Sequence, residues 1–222
     1  MNILLLGAGT FGTAASFSFH PRKIITTGEG GMITTDDEDL YELLKMLRNH
    51  GASISEEKRH LSPKPYDLPD FDNSGFNYRM TDLQGAVGLV QMTKLDEMLS
   101  ERQLRAANYI ETFAELPWLR MPTVPEYFYH SWQSFVTYFE SEKSSISRNE
   151  VMSELHERGV ATRPGTHALH ILGYYKKAFD FSPSDFPNSL ASAQNSMAIP
   201  LHNQMSSEDY EYVIQAINSL DV

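Results

Sequence analysis

One lysine near the start of the chain stands among residues that could bind a phosphorylated aldehyde. Ser16–Phe19 alternates hydroxyl and phenyl side chains, a strand period that predicts two buried phenylalanines and two hydroxyls on the opposite face. Pro21 cannot donate to a sheet, so the strand should end there and leave Lys23 in the turn beyond. The amine could condense with an aldehyde, while the Ser18 hydroxyl and the N–H groups of the glycine-rich turn 28–31 could bind its phosphate. A single lysine beside a turn can equally be a solvated surface residue.

The order of residues in this segment resembles that of a known family. Ser-Phe-His-Pro-Arg-Lys at Ser18–Lys23, followed by Thr-Gly-Glu-Gly-Gly, resembles the lysine segment of the DegT/DnrJ/EryC1/StrS family of pyridoxal-phosphate-dependent sugar aminotransferases. In that family the lysine forms a Schiff base with the cofactor, and the serine five positions earlier binds the cofactor phosphate. The resemblance therefore implies that Lys23 is catalytic and that Ser18 and Lys23 bind pyridoxal 5′-phosphate. Desolvation and the neighbouring charge of Arg22 would favour the neutral amine that this role requires.

A second segment, Gly75–Gln84, resembles the same family. Thr81 and Gln84 form a Thr-x-x-Gln capping box, so Asn77 and Arg79 should lie just ahead of a helix start. From the residues alone, Asn77 could simply close a turn and Arg79 could pair with a surface acid. The resemblance implies instead that this segment reaches the active site of a neighbouring subunit, where Asn77 contacts the cofactor phosphate and Arg79 lies near the substrate. A homodimer with shared active sites is therefore expected.

Three histidines form a further set of candidate site residues. The segments Arg163–His170 and Pro200–His202 resemble family segments that face the substrate, which implies substrate contacts for His167, His170 and His202. Histidines at domain surfaces can equally be structural or solvated. Two of the three are spaced three residues apart, but no carboxylate or third histidine stands at ligand spacing, so no metal site is expected.

The glycines that precede the lysine segment match a different motif. Gly7–Gly12 has the letters of the dinucleotide fingerprint G-x-G-x-x-G, and the apolar run Met1–Leu6 before it reads as a strand. The fingerprint requires a helix to begin at its glycines so that the helix N-terminus faces a pyrophosphate. A strand pattern and then Pro21 follow instead, so an NAD-binding oxidoreductase is a lesser alternative.

Composition narrows the possible classes of protein. The chain has 222 residues, a formal charge of −11 and no cysteine. The negative charge argues against nucleic acid or an anionic membrane surface as the main partner. The sequence has no apolar run near the length of a membrane span, and the absence of cysteine excludes disulfides and fits a cytoplasmic location.

Periodicity predicts the elements that would position these residues. A helix capped by Asp36 or Asp37 should end at Gly51, and residues 52–72 read as an extended excursion. A long amphipathic helix is predicted over 95–113, and Gly85 and Gly88 in the helix before it suggest close packing. The remaining predictions are strands over 132–139, 160–162 and 197–201, a helix after Ser147 that ends at Gly159, and a terminal helix with Tyr210, Val213, Ile214 and Ile217 on one face.

The resemblance implies an α/β, fold-type-I (aspartate aminotransferase-like) pyridoxal-phosphate enzyme. Residues 1–98 would be the C-terminal part of the large domain, and residues 99–222 a small α+β domain. The resemblance implies amino transfer from an amino acid such as glutamate to a nucleotide-linked keto sugar, with Lys23 moving the proton. Family members carry a further N-terminal segment that grips the phosphate, stacks on the cofactor ring and pairs with its nitrogen. A truncated or split enzyme, with a separately encoded N-terminal half, or a catalytically incomplete remnant is therefore also expected.

Overall fold

The computed structural model describes residues 9–64, 66 and 68–222, which fall into two compact units. Unit 1 ends at Leu95 and unit 2 spans Asp96–Val222. No helix in these described ranges is long and apolar enough to cross a membrane.

Unit 1 begins with an antiparallel hairpin of strands β1 (Ala15–Ser18) and β2 (Gly31–Thr34). The strand before the lysine and its end near Pro21 are therefore confirmed. The predicted burial of the two phenylalanines is wrong, because Phe17 is 37% exposed and Phe19 is only half-buried. A two-stranded sheet gives each side chain few neighbours, and in the described residues β1 pairs with β2 alone.

Helix α1 (Glu38–Leu47) follows, with Asp37 as its N-cap. The Asp37 carboxylate accepts from the Leu40 N–H at 3.0 Å, and acidic residues occupy the first turn. The helix ends at Leu47 with Arg48 as its C-cap, and the turn after it includes Gly51, whose φ of +82° is readily adopted only by glycine and whose N–H donates to the Met46 carbonyl. The predicted N-cap is confirmed, whereas the end predicted at Gly51 is wrong, because the last helical residue lies four positions earlier. The excursion after it is not wholly extended, since Ser55 caps a short helix, α2 (Glu56–Leu61).

Helix α3 (Asp82–Thr93) starts at the predicted capping box, in which Thr81 accepts from the Gln84 N–H and Gln84 accepts from the Thr81 N–H. A Cβ added at Gly88 would lie 3.1 Å from a methyl carbon of Thr27, so close packing explains this glycine. No atom lies within 4 Å of the same position at Gly85, so close packing within the described chain does not explain that one.

Unit 2 is an α+β unit with its own hydrophobic core. Its sheet has the order β3-β4-β6-β5, with every pair antiparallel. The long helix α4 (Leu95–Thr112) begins at the predicted residue and buries Arg102, Ala106 and Tyr109. The other elements are β3 (Leu119–Arg120), β4 (Phe135–Phe139), α5 (Arg148–Glu157), β5 (Arg163–Pro164), α6 (Gly173–Phe179), α7 (Pro187–Asn195), β6 (Ser196–Ile199) and α8 (Ser207–Asn218).

In unit 2 the cap of α5 and the buried face of α8 agree with the sequence predictions. Ser147 and Glu150 form the capping box of α5, and Tyr210, Val213 and Ile217 of α8 are buried. The strand predicted over 160–162 is wrong, because the Val160 N–H instead donates to the Leu155 carbonyl and closes α5. Pairing with β6 starts only at β5.

Candidate active site

Lys23 lies on a loop, residues 20–25, that is closed at its base. The carbonyl of Phe19 accepts from the Thr26 hydroxyl at 2.9 Å and from the Thr27 N–H at 3.1 Å. The N–H of the same residue, Phe19, donates to the Gly30 carbonyl at 2.9 Å, and this hydrogen bond continues the β1–β2 hairpin. The loop therefore has a fixed base, and Lys23 is exposed on it. The desolvation expected for the Lys23 amine is not provided by the described chain.

Ser18 and Lys23 are linked through His20. The His20 N–H donates to Ser18 Oγ at 3.3 Å, and the His20 carbonyl accepts from the Lys23 N–H at 2.9 Å. The Arg22 N–H donates to His20 Nδ1 at 3.2 Å. In the described chain, the Ser18 hydroxyl only accepts a hydrogen bond, so its own proton is free to be donated to a phosphate. The structure thus brings Ser18 and Lys23 into one hydrogen-bonded segment.

Helix α3 holds the glycine-rich turn beside this loop. The side-chain amide of Gln84 donates to the Glu29 carbonyl at 2.9 Å, and Gln91 Oε1 accepts from the Thr26 N–H at 3.2 Å. Thr27 is buried, and its hydroxyl donates to the Glu29 carbonyl at 2.7 Å. Sequence reasoning missed the parts played by Thr26, Thr27 and Gln91. Gly88 was the one available signal, since a glycine inside a helix indicates that another segment packs close to it.

Asn77 and Arg79 lie on a segment tied to the end of α1. The Phe76 N–H donates to the Leu47 carbonyl at 2.8 Å and the Tyr78 N–H to the Arg48 carbonyl at 2.9 Å. The exposed Arg79 guanidinium donates to Asn49 Oδ1, at 2.6 Å, rather than to a surface acid. The side chain of Asn77 is exposed and has no hydrogen-bond partner among the described residues. Its backbone is therefore fixed while its amide is presented outward.

The three candidate histidines occupy different environments. His170 is 5% exposed, its Nε2 lies 3.3 Å from the Pro183 carbonyl, and its ring packs on Phe186 with centroids 5.0 Å apart. These contacts give His170 a structural place in unit 2. His167 and His202 are exposed, as a substrate contact would require.

The loop that carries His202 is held by donors from α4 and α8. The Tyr109 hydroxyl donates to the Pro200 carbonyl at 3.0 Å, and the Tyr210 hydroxyl donates to the His202 carbonyl at 3.3 Å. Between them, Arg102 Nη1 donates to the Leu201 carbonyl at 3.2 Å. Three consecutive carbonyls are thus bound, and the His202 side chain is left exposed.

Arg102 joins this loop to a second one. Its Nε donates to Asn203 Oδ1 at 2.7 Å, and Nη1 also donates to the Trp132 carbonyl at 2.9 Å, where the backbone is left-handed with φ of +49°. Burial lowers the pKa of the Arg102 guanidinium and raises the pKa of Tyr109. Both residues lie in the amphipathic helix predicted over 95–113, where an arginine spaced seven residues from both Leu95 and Tyr109 could have indicated this role. Within the described ranges, no group of three or more potential ligand side chains could hold a metal ion.

Comparisons with known proteins identify the family of this chain. The sequence model of the DegT/DnrJ/EryC1/StrS aminotransferase family matches residues 7–218. The chain is 34% identical over 213 residues to the spore coat polysaccharide biosynthesis protein SpsC of Bacillus subtilis, covering 96% of this chain and 54% of SpsC. The chain therefore spans about half the length of the curated relatives it matches.

Solved structures give the same result for the fold. Spr1654 from Streptococcus pneumoniae, assigned as a sugar aminotransferase and solved in its PMP form, superposes with a TM-score of 0.84 at 27% identity. That match covers 95% of this chain and 53% of Spr1654. The aminotransferase TlmJ from Streptoalloteichus hindustanus gives a TM-score of 0.81 at 25% identity, over 94% of this chain and 52% of TlmJ. The chain thus has part of the fold-type-I architecture, and it belongs to the DegT/DnrJ/EryC1/StrS aminotransferase family.

Proposed function

We propose that this chain forms the Lys23-bearing half of a pyridoxal-phosphate-dependent aminotransferase site. The substrate class is a nucleotide-linked keto sugar, and the amino donor is an amino acid such as glutamate. The observation that carries the proposal is the loop of residues 20–25, which is closed at Phe19 and links Ser18 to Lys23 by hydrogen bonds through His20. Membership of the family and the sugar-related names of SpsC and Spr1654 support it.

The residues present fit pyridoxal 5′-phosphate. Ser18 has a hydroxyl proton that no described residue uses, and Asn77 has an exposed amide on a fixed backbone. Both can donate to phosphate oxygens, while the exposed Lys23 Nζ can react with an aldehyde. When bound, the cofactor supplies that aldehyde and an electron-withdrawing ring.

Lys23 has two tasks in the proposed reaction. Its Nζ would hold the cofactor through the aldehyde carbon, and the free amine would act as general base toward the proton on the α-carbon of the donor and as general acid when that proton is returned. Because a protonated amine cannot accept this proton, the site must keep Nζ neutral when the donor binds. The described chain leaves Lys23 exposed, so the groups that shield its amine must come from outside these residues.

Arg79, His167 and His202 are proposed as substrate contacts. Arg79 is a fixed cation, because Asn49 binds its guanidinium, and it suits a carboxylate or phosphate. His202 accepts from the Gln204 N–H through Nδ1, so a neutral ring presents its Nε2–H outward as a donor. His170 was also expected to contact the substrate. Its ring is packed between Pro183 and Phe186, so it would affect the substrate only by fixing the conformation of its loop.

We further propose how the site is completed. Two copies of the chain form a homodimer in which Asn77 reaches the cofactor phosphate of the other copy, and the half of the fold that relatives have beyond the matched region supplies the rest of the pocket. The domains would be 1–98 and 99–222, and the enzyme would act in the cytoplasm.

A catalytically incomplete remnant, or partner subunit, is the second candidate. The exposure of Lys23 and of apolar hairpin side chains favours it, since Met32 is 52% and Ile33 is 51% exposed. The NAD-binding alternative has less support. Gly7 and Ala8 of its fingerprint lie outside the described residues, and β1 rather than a helix follows Gly12.

Absorbance spectroscopy tests the proposal. Pyridoxal phosphate added to the protein, alone or with a polypeptide comprising the N-terminal half of a relative, should give a band near about 420 nm. Lys23→Ala should abolish the band, and Lys94→Ala, which removes an exposed lysine of the same unit, should leave it unchanged. A band that persists in Lys23→Ala would refute the role of Lys23. No band under either condition would favour the remnant, whereas stabilisation by NAD would favour the oxidoreductase.

A further inference from the structure

The loop that carries Lys23 is organised by a residue to which neither the family comparison nor the proposed reaction assigns a role. His20 takes part in three hydrogen bonds within this loop. Two use its backbone, which any residue supplies. The third uses its ring, because Nδ1 accepts from the Arg22 N–H at 3.2 Å.

The ring of His20 thus acts as the acceptor of a side-chain turn. Asparagine and aspartate side chains commonly accept from the backbone N–H two residues later and so fix a turn, and His20 Nδ1 does the same for Arg22. Because Lys23 follows Arg22 directly, this bond restricts the direction in which Lys23 leaves the turn. The next peptide, between Arg22 and Lys23, is restrained as well, because the Lys23 N–H donates to the His20 carbonyl.

The second ring nitrogen has a weaker contact. A neutral ring that accepts at Nδ1 carries its proton on Nε2, and this atom lies 4.0 Å from Glu29 Oε1. Both side chains are substantially exposed, with 45% and 74% relative exposure, so water screens this pair. The restraint on Lys23 therefore comes from Nδ1 rather than from the pair with Glu29.

We infer that His20 is a positioning residue for Lys23, acting through the acceptor Nδ1. This inference rests on the proposed function, in which Lys23 reacts with the aldehyde of pyridoxal phosphate. Asparagine should therefore replace His20 without loss of the restraint, because its side-chain oxygen can accept from the Arg22 N–H. Leucine has a similar size but no acceptor, so it should lose the restraint.

Reductive labelling with pyridoxal phosphate and borohydride, read by peptide mass spectrometry, tests this inference. Borohydride reduces the C=N bond between the aldehyde carbon and a lysine nitrogen to a stable secondary amine. Labelling at Lys23 is divided by labelling at Lys94, which is exposed in the same unit and serves as an internal reference. In the unmodified chain the ratio should exceed one. His20→Leu should lower it about five-fold, as expected for the loss of one hydrogen bond.

Two variants separate the ring contacts. His20→Asn should keep the ratio within about two-fold of the unmodified value, because the acceptor is retained. Glu29→Gln should also keep it, because only the screened pair is removed. A backbone readout needs no cofactor: the amide proton of Arg22 should exchange faster in His20→Leu than in His20→Asn.

The outcomes distinguish the inference from the proposed function. If His20→Leu labels Lys23 as strongly as the unmodified chain does, the inference is wrong and the proposed function stands. A ratio that falls equally in His20→Leu and His20→Asn would also overturn it. If Lys23 and Lys94 are labelled equally in the unmodified chain, with and without the N-terminal polypeptide, both the proposed function and the inference are wrong.

Discussion

Replacing Arg102 by methionine should destabilise unit 2 strongly, because one buried guanidinium satisfies three acceptors on two loops. The side chain is 6% exposed and donates to Trp132, Leu201 and Asn203 at 2.7–3.2 Å. Methionine fills much of the same volume but donates nothing. Leaving a buried acceptor unpaired costs about 1–3 kcal/mol each. Asn203 can turn partly to water, and removing a buried charge recovers some desolvation energy, so we expect a net loss of about 3–5 kcal/mol.

Tryptophan fluorescence during urea unfolding measures this loss for unit 2 alone. Both tryptophans of the chain, Trp118 and Trp132, lie in unit 2 and are buried. With a slope of about 2 kcal/mol per molar urea, a loss of ~4 kcal/mol lowers the midpoint by about 2 M. Arg105→Met is the matched control on the same helix, since among the described residues Arg105 donates only to the Ser207 hydroxyl, and its guanidinium stacks on the Tyr210 ring. Its loss should be about 1 kcal/mol.

Arg102→Lys keeps the charge but loses the planar arrangement of donors, so its loss should fall between those of the two methionine variants. If Arg102→Met unfolds within about 1 kcal/mol of the unmodified protein, the three hydrogen bonds contribute little net stability. The guanidinium would then be no more than a tolerated buried cation.

Three other predictions address separate parts of the molecule. Gly51→Ala should destabilise unit 1 by at least about 2 kcal/mol, because φ is +82° and the new Cβ would overlap the Asn73 carbonyl; loss of amide dispersion in NMR spectra would show it. Gln84→Ala removes one half of the capping box of α3, the bond from the Thr81 N–H to Gln84 Oε1, and the bond to the Glu29 carbonyl, so amide exchange in α3 should indicate a loss of about 1–2 kcal/mol. Burial raises the pKa of Tyr109 above its ordinary 10.0, so its contribution is present below pH 10.0 and is lost as the pH rises further; Tyr109→Phe should flatten that decline by up to about 1.4 kcal/mol per pH unit.

The sequence predicted local features of the fold well where a short segment determines them. Both capping boxes, the N-cap of α1 at Asp37 and the turn after β1 depend on residues within a few positions of one another. The strand predicted over 160–162 does not form, because the Val160 N–H donates to the Leu155 carbonyl at the end of α5 and is therefore not available for pairing in a sheet. The predicted burial of Phe17 is wrong because burial depends on how many layers cover a sheet, and the alternation of side chains along a strand does not specify that number.

The candidate site was predictable only in part. Lys23, Ser18 and Asn77 came from residue order, which specifies chemistry but not contacts. Two of the three donors that hold the His202 loop, Arg102 and Tyr109, lie on α4, about 90 to 100 residues away in sequence, and no spacing rule connects them to the loop. His20 was visible in the motif, but its role appeared only when Nδ1 was found to accept from the Arg22 N–H.

The two units differ in what stabilises them, and this difference bears on the proposed assembly. Unit 2 buries a continuous cluster of aromatic and aliphatic side chains, whereas Thr27 and Ala52 are the buried side chains described in unit 1 apart from its glycines. Apolar burial is the main favourable term in folding, so hydrogen bonds in loops and caps do not replace it. The surface of α3 shows the same imbalance, with Leu83 at 83% and Leu89 at 73% exposure. The unit that carries Lys23 therefore needs further protein surface to be stable, and the same covering would shield the lysine amine that the proposed reaction requires to be neutral.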